Sequence, residues 1–325
     1  MRFYSVIIPV YNRPQEVFEL LETLTKQTYT HFEVLIIEDG STDKCEHIVS
    51  QFTDLLDITY YFKPNSGQGF SRNYGFERAK GDYLVVFDSD CLIPHNYFEI
   101  VEQHLNEEPL DAFGGPDRAH SSFTPLQKAI SYSMTSPFTT GGIRGNKKHA
   151  GTFHPRSFNM GISKAVFEKT GGYIITRMGE DVEFSIRIIQ NGFKTGLIPE
   201  AHVYHKRRTS LRQFYKQLHF FGRARVNIKR FFPSELKLIH TFPAAFVSGL
   251  IIWPFTFLLS TELFLVGAAI IGLFILLNFF HSLVQNKSWH VAGLSVLAAF
   301  TQLSAYGIGM ITEAFRKGDQ PRSQK

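Results

Sequence analysis

Three short acidic clusters carry the residue types that could do chemistry. Asp88-Ser89-Asp90 sets two carboxylates two positions apart, directly after the apolar run Tyr83–Phe87. Such a pair on one turn suits a hard divalent cation, Mg²⁺ or Mn²⁺, that also takes phosphate oxygens. Glu38-Asp39-Gly40-Ser41-Thr42-Asp43 closes a second apolar run. There Gly40 permits a tight turn against a ligand, while Ser41 and Asp43 equally suit capping of the next short helix. Glu180-Asp181 opens an amphipathic stretch. It either complements a helix dipole or supplies a general base beside a metal-bound phosphate.

The elements that must hold these clusters alternate along the chain. Residues 3–10, Glu33–Ile37, Ile58–Phe62 and Tyr83–Phe87 are continuous apolar, β-branched or aromatic runs, the pattern of buried strands in a parallel sheet. Val17, Leu20, Leu21 and Leu24 recur at helical spacing after Pro14, and Pro is well placed in a first helical turn. Gly67-Gln68-Gly69 opens a helix to about Lys80, and further helices are expected over Lys164–Thr170 and from Glu180 to about Asn191. The fold class is therefore α/β with a mostly parallel sheet. The polar clusters follow strand ends, where open α/β sheets bind ligands. Residues 116–157 are rich in Gly, Ser, Thr and Pro and read as a long irregular segment of functional character.

The C-terminal part is of another kind. Of 34 Lys+Arg and 29 Asp+Glu, only Glu262 and Lys287 lie between Leu238 and Thr312, and the chain holds 32 Phe. Leu238–Ser260, Leu263–Val284 and His290–Thr312 each approach the ~20 residues that span a bilayer. Pro243 and Pro254 interrupt the first segment, and Thr301, Gln302 and Ser304 weaken the third. Residues 201–232 contain nine Lys or Arg, no Asp or Glu, and interleaved aromatics such as Phe214 and Tyr215. Directly before the apolar segments, they read as an interfacial amphipathic helix and not as a nucleic-acid surface. A net charge of only +5 also argues against a dedicated nucleic-acid binder. The expected organisation is a catalytic domain over 1–232, a membrane region of two or three helices over 238–312 and a polar tail over 313–325. The basic stretch places the catalytic domain on the cytoplasmic side, and Val6–Val10 is too short for a signal-peptide core. Three spans would then put the basic tail, with Arg316, Lys317, Arg322 and Lys325, on the far side, against the same rule. Cys45 and Cys91 are too few for a disulfide framework.

Together the segments SVIIPVYNR, EVLIIEDGSTD, NSGQGFSRNYGFERAKGDYLVVFDSDC, NMGISKAVFEKTGGY, GEDVEFSIRIIQNGF and IPEAHVYH resemble, in this order, family 2 of the inverting glycosyltransferases over about residues 4–232. The resemblance implies a GT-A fold and a nucleotide-sugar donor. It implies that Pro9, Tyr11 and Asn12 line the nucleotide pocket, that Asp39 binds the nucleobase, most often uracil, and that Arg72 contacts the nucleotide. Asp88 would approach the ribose, Asp90 would ligate the divalent cation, and His205 would approach the metal or diphosphate. Asp181 would be the catalytic base and Glu180 would lie near the acceptor.

One departure narrows the expectation. Processive members of the family carry Gln-x-x-Arg-Trp after the base, but neither Gln213 nor Gln217 is so followed, and the only tryptophans are Trp253 and Trp289. Transfer of one sugar, from a UDP-sugar first, to a lipid-linked glycan or glycolipid at the cytoplasmic face of the inner membrane is therefore expected. A polyprenyl-phosphate glycosyltransferase and a processive polysaccharide synthase are the alternatives.

Overall fold

The computed structural model describes residues 1–120, 122–140 and 153–316. In chain order its elements are β1 (Tyr4–Val10), α1 (Pro14–Leu24), β2 (Phe32–Asp39), α2 (Glu46–Val49), β3 (Ile58–Lys63), α3 (Gln68–Phe76), β4 (Tyr83–Phe87), β5 (Cys91–Leu92), α4 (Tyr97–Glu107), β6 (Ala112–Gly114), β7 (Asp117–Arg118), α5 (Pro125–Thr135), α6 (Pro137–Thr140), β8 (Asn159–Ser163), α7 (Lys164–Thr170), α8 (Glu180–Gln190), β9 (Thr195–Leu197), β10 (Val203–His205), α9 (Leu211–Phe231), α10 (Phe242–Ile252), α11 (Thr261–Asn286) and α12 (Trp289–Ala314). The described residues form two compact units, 1–118 with 153–206, and 119–140 with 207–316.

The first unit is built on a seven-stranded sheet of order β3-β2-β1-β4-β8-β6-β9. β1 pairs in parallel with β2 and β4, and β2 with β3. β8 runs antiparallel to both β4 and β6, so the expected mostly parallel sheet is present with one reversed strand. Side chains alternate across it. Tyr4, Val6, Ile8, Val34, Ile36, Val85 and Phe87 pack on one face with α1 and α4 residues such as Leu20, Phe98 and Val101. Ile7, Leu35, Ile37, Leu84 and Val86 pack on the other with Phe76, Phe184 and Ile188. Both faces are covered, which is why the strands read as unbroken apolar runs. A second, three-stranded sheet of order β5-β10-β7 sets His205 opposite Cys91.

The second unit departs from the reading of the sequence at four points. The catalytic domain was expected to run to residue 232, but α9 belongs with the apolar helices, as do residues 119–140. Within the expected irregular stretch 116–157, α5 is a regular helix closed by a capping box between Thr124 and Gln127. Its buried Ile130 and Met134 pack with Phe214 and Leu218 of α9 and Ala298 and Ala305 of α12. Gly141, Gly142 and Gly145 lie outside the described residues. α9 is also more than a helix on an interface. Gly222 and Gly309 bring its backbone against α12, where a Cβ would stand 2.0 Å from the Tyr306 carbonyl and 2.2 Å from the His219 carbonyl, respectively. Arg223 and Arg230 pair with buried Glu313 at 2.9 Å each. Helix α12 therefore carries into the expected polar tail; residues 317–325 lie outside the described residues.

Among the described residues, three segments are long and apolar enough to cross a membrane: Leu238–Leu258, Thr261–Asn286 and Trp289–Ala314. The first is broken as its prolines require: α10 is flanked by 3₁₀ turns over Leu238–Thr241 and Trp253–Leu258. Few residues of the first two segments are buried, whereas half of the third is. α12 is thus the axis on which the other helices of this unit are arranged. A Gly222→Val substitution should force α9 off α12 and destabilise the unit by about 1–3 kcal/mol or more. Gly293→Val, where a Cβ meets nothing within 4 Å, is the control. Equal melting temperatures of the two variants in detergent would refute the close helix contact.

Candidate active site

Because β1, β2 and β4 are parallel neighbours, their carboxyl ends deliver three loops to one edge of the sheet: Tyr11–Arg13, Gly40–Asp43 and Asp88–Asp90. β8 is antiparallel with Asn159 opposite Phe87, so the residues just before Asn159 arrive at this same edge. Pro9 lies in β1 opposite Ile37, and Tyr11 is exposed.

Asn12 adopts a left-handed backbone, φ 53°, which Asn tolerates better than most residues. Its Oδ1 accepts from the Thr42 and Asp43 amides at 2.8 and 2.9 Å, and its amide donates to Ser41 Oγ at 2.8 Å. The side chain expected to line the nucleotide pocket thus braces the β1 loop against the β2 loop. Ser41 also donates to Glu38 Oε1.

Asp39 is buried at the end of β2. Its carboxylate accepts from the Ser66 and Gly67 amides at 2.9 and 2.8 Å and pairs with Lys63. Burial alone would raise its carboxyl; the Lys63 ammonium and the Ser66 amide more than offset this and hold it below the ordinary range. Gly40, at φ +73°, lets Asn65 pass so closely that a Cβ would stand 2.7 Å from the Asn65 nitrogen.

Arg72 is the hinge of the site. On α3 and 1% exposed, it donates to Asp88 Oδ1 at 2.9 Å and Glu180 Oε1 at 3.3 Å, while its Nε has no partner. The structure therefore places Arg72 beneath the site, joining the Asp88 loop to the head of α8. Asp88 is one-third exposed at its side chain. Glu180 is buried and takes a second hydrogen bond from Gln68. Burial, then the neighbouring Asp181 charge, raises its carboxyl. Asp181 behaves oppositely. Its Oδ1 accepts from the Val182 amide at 2.8 Å and its Oδ2 from Arg156 Nε at 2.7 Å. Burial acts to raise the Asp181 carboxyl, but the Arg156 and Arg72 guanidiniums outweigh it and hold the group ionised. Two adjacent carboxyls pushed apart in this way have the arrangement that acid–base chemistry uses.

Asp90 lies nearly buried between Arg13, at 2.7 Å, and His205 Nε2, at 3.0 Å. The antiparallel pairing of β10 with β5 delivers His205 there, and the ring stacks on Phe158 with centroids 5.3 Å apart. Single ligand atoms of Asp90, Cys91 and His205 lie within 4.8 Å of one another. The Cys91 thiol is fully buried and burial pushes it well above its usual range, and hard Mn²⁺ or Mg²⁺ prefers oxygen and nitrogen donors to sulfur. A carboxylate and an imidazole, with the more open Asp88 two residues away, remain as a donor set suited to Mn²⁺ or Mg²⁺.

The structure thus brings Asp39, Asp88, Asp90, Glu180, Asp181 and His205 into one unit, around this edge of the sheet. The reading of the sequence missed their cationic partners Lys63, Arg13 and Arg156, and Gln68. Arg13 lies inside the motif YNR and Lys63 at the end of a strand, but nothing in their spacing names a partner. Arg156 is three residues before the start of β8 in a stretch that read as irregular.

A sequence model described as glycosyl transferase family 2 matches residues 5–171. An uncharacterized glycosyltransferase of Haemophilus influenzae is 31% identical over 216 residues, 64% of this chain and 70% of that protein. The chain spans about a fifth of the length of three Rickettsia glycosyltransferases that it also matches, at 35–39% identity. Among solved structures, the mannosyltransferase PcManGT from Pyrobaculum calidifontis, in complex with GDP-Man and Mn²⁺, superposes with a TM-score of 0.63 at 15% identity, covering 97% of this chain and 87% of that one. S. aureus TarS 1–349 in complex with UDP gives 0.51 at 22% identity, covering 69% and 66%. These two likenesses show the fold, GT-A.

Proposed function

Since the chain belongs to glycosyl transferase family 2, we propose that it moves one sugar, with inversion, from a nucleotide-diphosphate sugar to a hydroxyl of a lipid-linked glycan or glycolipid. The observation that carries this is the Asp181 carboxylate, held by Arg156 and joined through its neighbour Glu180 and Arg72 to the Asp88-x-Asp90 turn. A base and a diphosphate-binding carboxylate pair then belong to one connected site.

In this reading Asp39 accepts from the nucleobase, with a uracil imide the best fit, and its carboxylate is already fixed by Lys63 and two amides. Tyr11 and Pro9 flank the base, and Asp88 reaches the ribose. Asp90 and His205 would hold a divalent cation, which supplies positive charge for the leaving diphosphate. Glu180 fixes Arg72 from below and borders the acceptor. Asp181 takes the proton of the acceptor hydroxyl as that oxygen bonds to the anomeric carbon. The bond from that carbon to the diphosphate breaks on the opposite face, its electron pair leaving with the nucleotide. One displacement inverts the configuration, and Asp181 is left protonated until it exchanges with water.

A lipid-linked acceptor is supported by the three membrane-length apolar segments among the described residues and by the exposed Arg212 and Lys216 of α9, which favour anionic lipid. A cytoplasmic catalytic side agrees with that charge bias. Transfer of single sugars is supported by the sequence after the proposed base, where neither Gln213 nor Gln217 is followed by Arg-Trp at the spacing of processive members.

The test is release of free nucleotide from UDP-, GDP- and dTDP-sugars by protein in detergent, with Mn²⁺ or Mg²⁺ and a membrane lipid extract as acceptor. The two structural neighbours hold UDP and GDP-Man, so both nucleotides belong in the panel. Release from one donor and a product one sugar larger than the acceptor are expected; no release from any donor would sink the reading. Asp90→Ala should lower release by about 10²-fold or more and remove its response to added Mn²⁺. An unchanged Mn²⁺ titration would take Asp90 out of the metal site.

A further inference from the structure

The base of an inverting transferase must present free lone pairs to an incoming hydroxyl, and a freely rotating carboxylate does so only part of the time. Here Asp181 is gripped from two sides. The Val182 amide holds Oδ1 and Arg156 Nε holds Oδ2 at 2.7 Å. Arg156 has itself been placed by the helix that carries the base. Ser185, one turn along α8 from Asp181 and fully buried, donates to the Pro155 carbonyl at 2.6 Å. Thr195 fixes the Phe153 carbonyl of the same segment at 2.7 Å. On its other side Asn159, whose amide donates to the Arg156 carbonyl at 3.0 Å, is locked by Tyr97 and by the Ala201 carbonyl at 2.5 and 2.8 Å. An extended segment tied this often, with one guanidinium aimed at one carboxylate oxygen, is not a chance surface ion pair.

We propose that Arg156 is a positioning residue for the transfer: it fixes the Asp181 carboxylate by Oδ2, so that the lone pairs left over meet the acceptor hydroxyl in one orientation. The proposal rests on Asp181 being the base. Ser185 and the Pro155 carbonyl set the place from which Arg156 acts. The other titratable groups bearing on Asp181 are Glu180 on its own helix, Arg72 on α3 and Tyr173 in the loop before α8. His154 lies in the Arg156 segment itself. Of these, a charged Glu180 opposes a charged Asp181, Tyr173 is held as a neutral phenol by its burial, and Arg72 is already shared between Asp88 and Glu180. Arg156 is the cation assigned to Asp181 by a direct hydrogen bond.

The sign for activity follows. The base works when ionised, and the guanidinium favours the ionised form. Wild-type turnover should therefore persist toward acid pH, and loss of Arg156 should bring the acid limb up toward neutrality.

The experiment uses the full chain in detergent with Mn²⁺ and the donor that gives the most nucleotide release in the panel above. Turnover and donor KM are measured from pH 4.5 to 9 for wild type, Arg156→Gln, Arg156→Lys, Ser185→Ala and Asp181→Asn. For Arg156→Gln the acid limb should rise by about one pH unit or more, with kcat at neutral pH reduced about tenfold and donor KM changed less than about twofold. Arg156→Lys should recover part of both effects, and Ser185→Ala should move the limb in the same direction by less. A wild-type limb in Arg156→Gln overturns the proposal. Should that variant fail to fold, a wild-type limb in both Arg156→Lys and Ser185→Ala overturns it instead. Asp181→Asn separates the two failures. If it retains turnover, Asp181 is not the base. If it is inactive while the Arg156 variants behave as wild type, only the positioning role falls.

Discussion

An Asp181→Asn protein is expected to bind nucleotide as the wild type does and to lose about 10²–10⁴-fold in turnover, the usual contribution of a general base. The substitution preserves shape and keeps one oxygen for the Val182 amide, so α8 retains its first turn. It removes the lone pairs that accept the acceptor proton and places an amide opposite Arg156. The residues proposed to hold the nucleotide, Asp39 and Asp88, are tied to other partners, Lys63 and Arg72, and remain in place. Nucleotide affinity measured by calorimetry, set beside turnover, therefore distinguishes loss of chemistry from loss of the site. Turnover within a few-fold of wild type would remove Asp181 from the mechanism.

The largest effect on stability is expected at Arg72. Met in its place fills similar space but leaves Glu180 buried with Gln68 as its remaining side-chain partner and releases the Asp88 loop. Removing one member of a buried ionic group costs about 3–5 kcal/mol. In a unit of this size that is a fall in melting temperature of about 6–20 °C. The pH dependence has a definite sign. Burial already raises the Glu180 carboxyl in the folded protein, and losing Arg72 raises it further. A carboxyl raised by folding binds a proton more tightly in the native state, so its presence lowers stability as pH climbs from the ordinary carboxyl range through the raised value. The difference in melting temperature between wild type and Arg72→Met should therefore widen from pH 5 to pH 7. A difference independent of pH would show that Glu180 does not feel the guanidinium.

The parts of this structure that were legible in the sequence are those governed by local rules. β1, β2 and β4 announce themselves because strands covered on both faces need apolar side chains at every position. Asp39, Asp88 and Asp90 follow because they stand where those strands stop. The motif Gly179-Glu180-Asp181 likewise marks the head of α8. What could not be read is pairing at a distance. Lys63 lies 24 residues from Asp39, Arg13 lies 77 from Asp90 and Arg156 lies 25 from Asp181, and no periodicity connects such partners. Helix α5 was hidden for a different reason. Its Ser, Thr and Gln content resembles a loop, and its apolar contacts come from α9 and α12, far along the chain. For α9 the charge pattern suggested a lipid surface. Two of its arginines instead answer one glutamate near the end of α12, and Gly222 leaves room for that helix.

The interleaving of the two units bears on how the chain is made. Ile130 and Met134 leave the ribosome with α5, but their companions Ala298 and Ala305 follow about 170 residues later. At about 5–20 residues per second that is a delay on the order of 10–30 seconds. Meanwhile residues 153–206 emerge, and their β8 and β9 can complete the sheet around β6. The nascent protein therefore passes through a period in which its sugar-transfer unit is foldable while α5, inserted within that unit's sequence, still lacks its partners. Truncation at residue 232, where a catalytic domain would ordinarily be cut for expression, would make that interval permanent. The fragment would carry α5 and α9 without α12, leaving Phe214 and Leu218 short of cover and Arg223 and Arg230 without Glu313. A fragment ending near residue 206, with residues 119–140 removed, matches the unit that the fold defines.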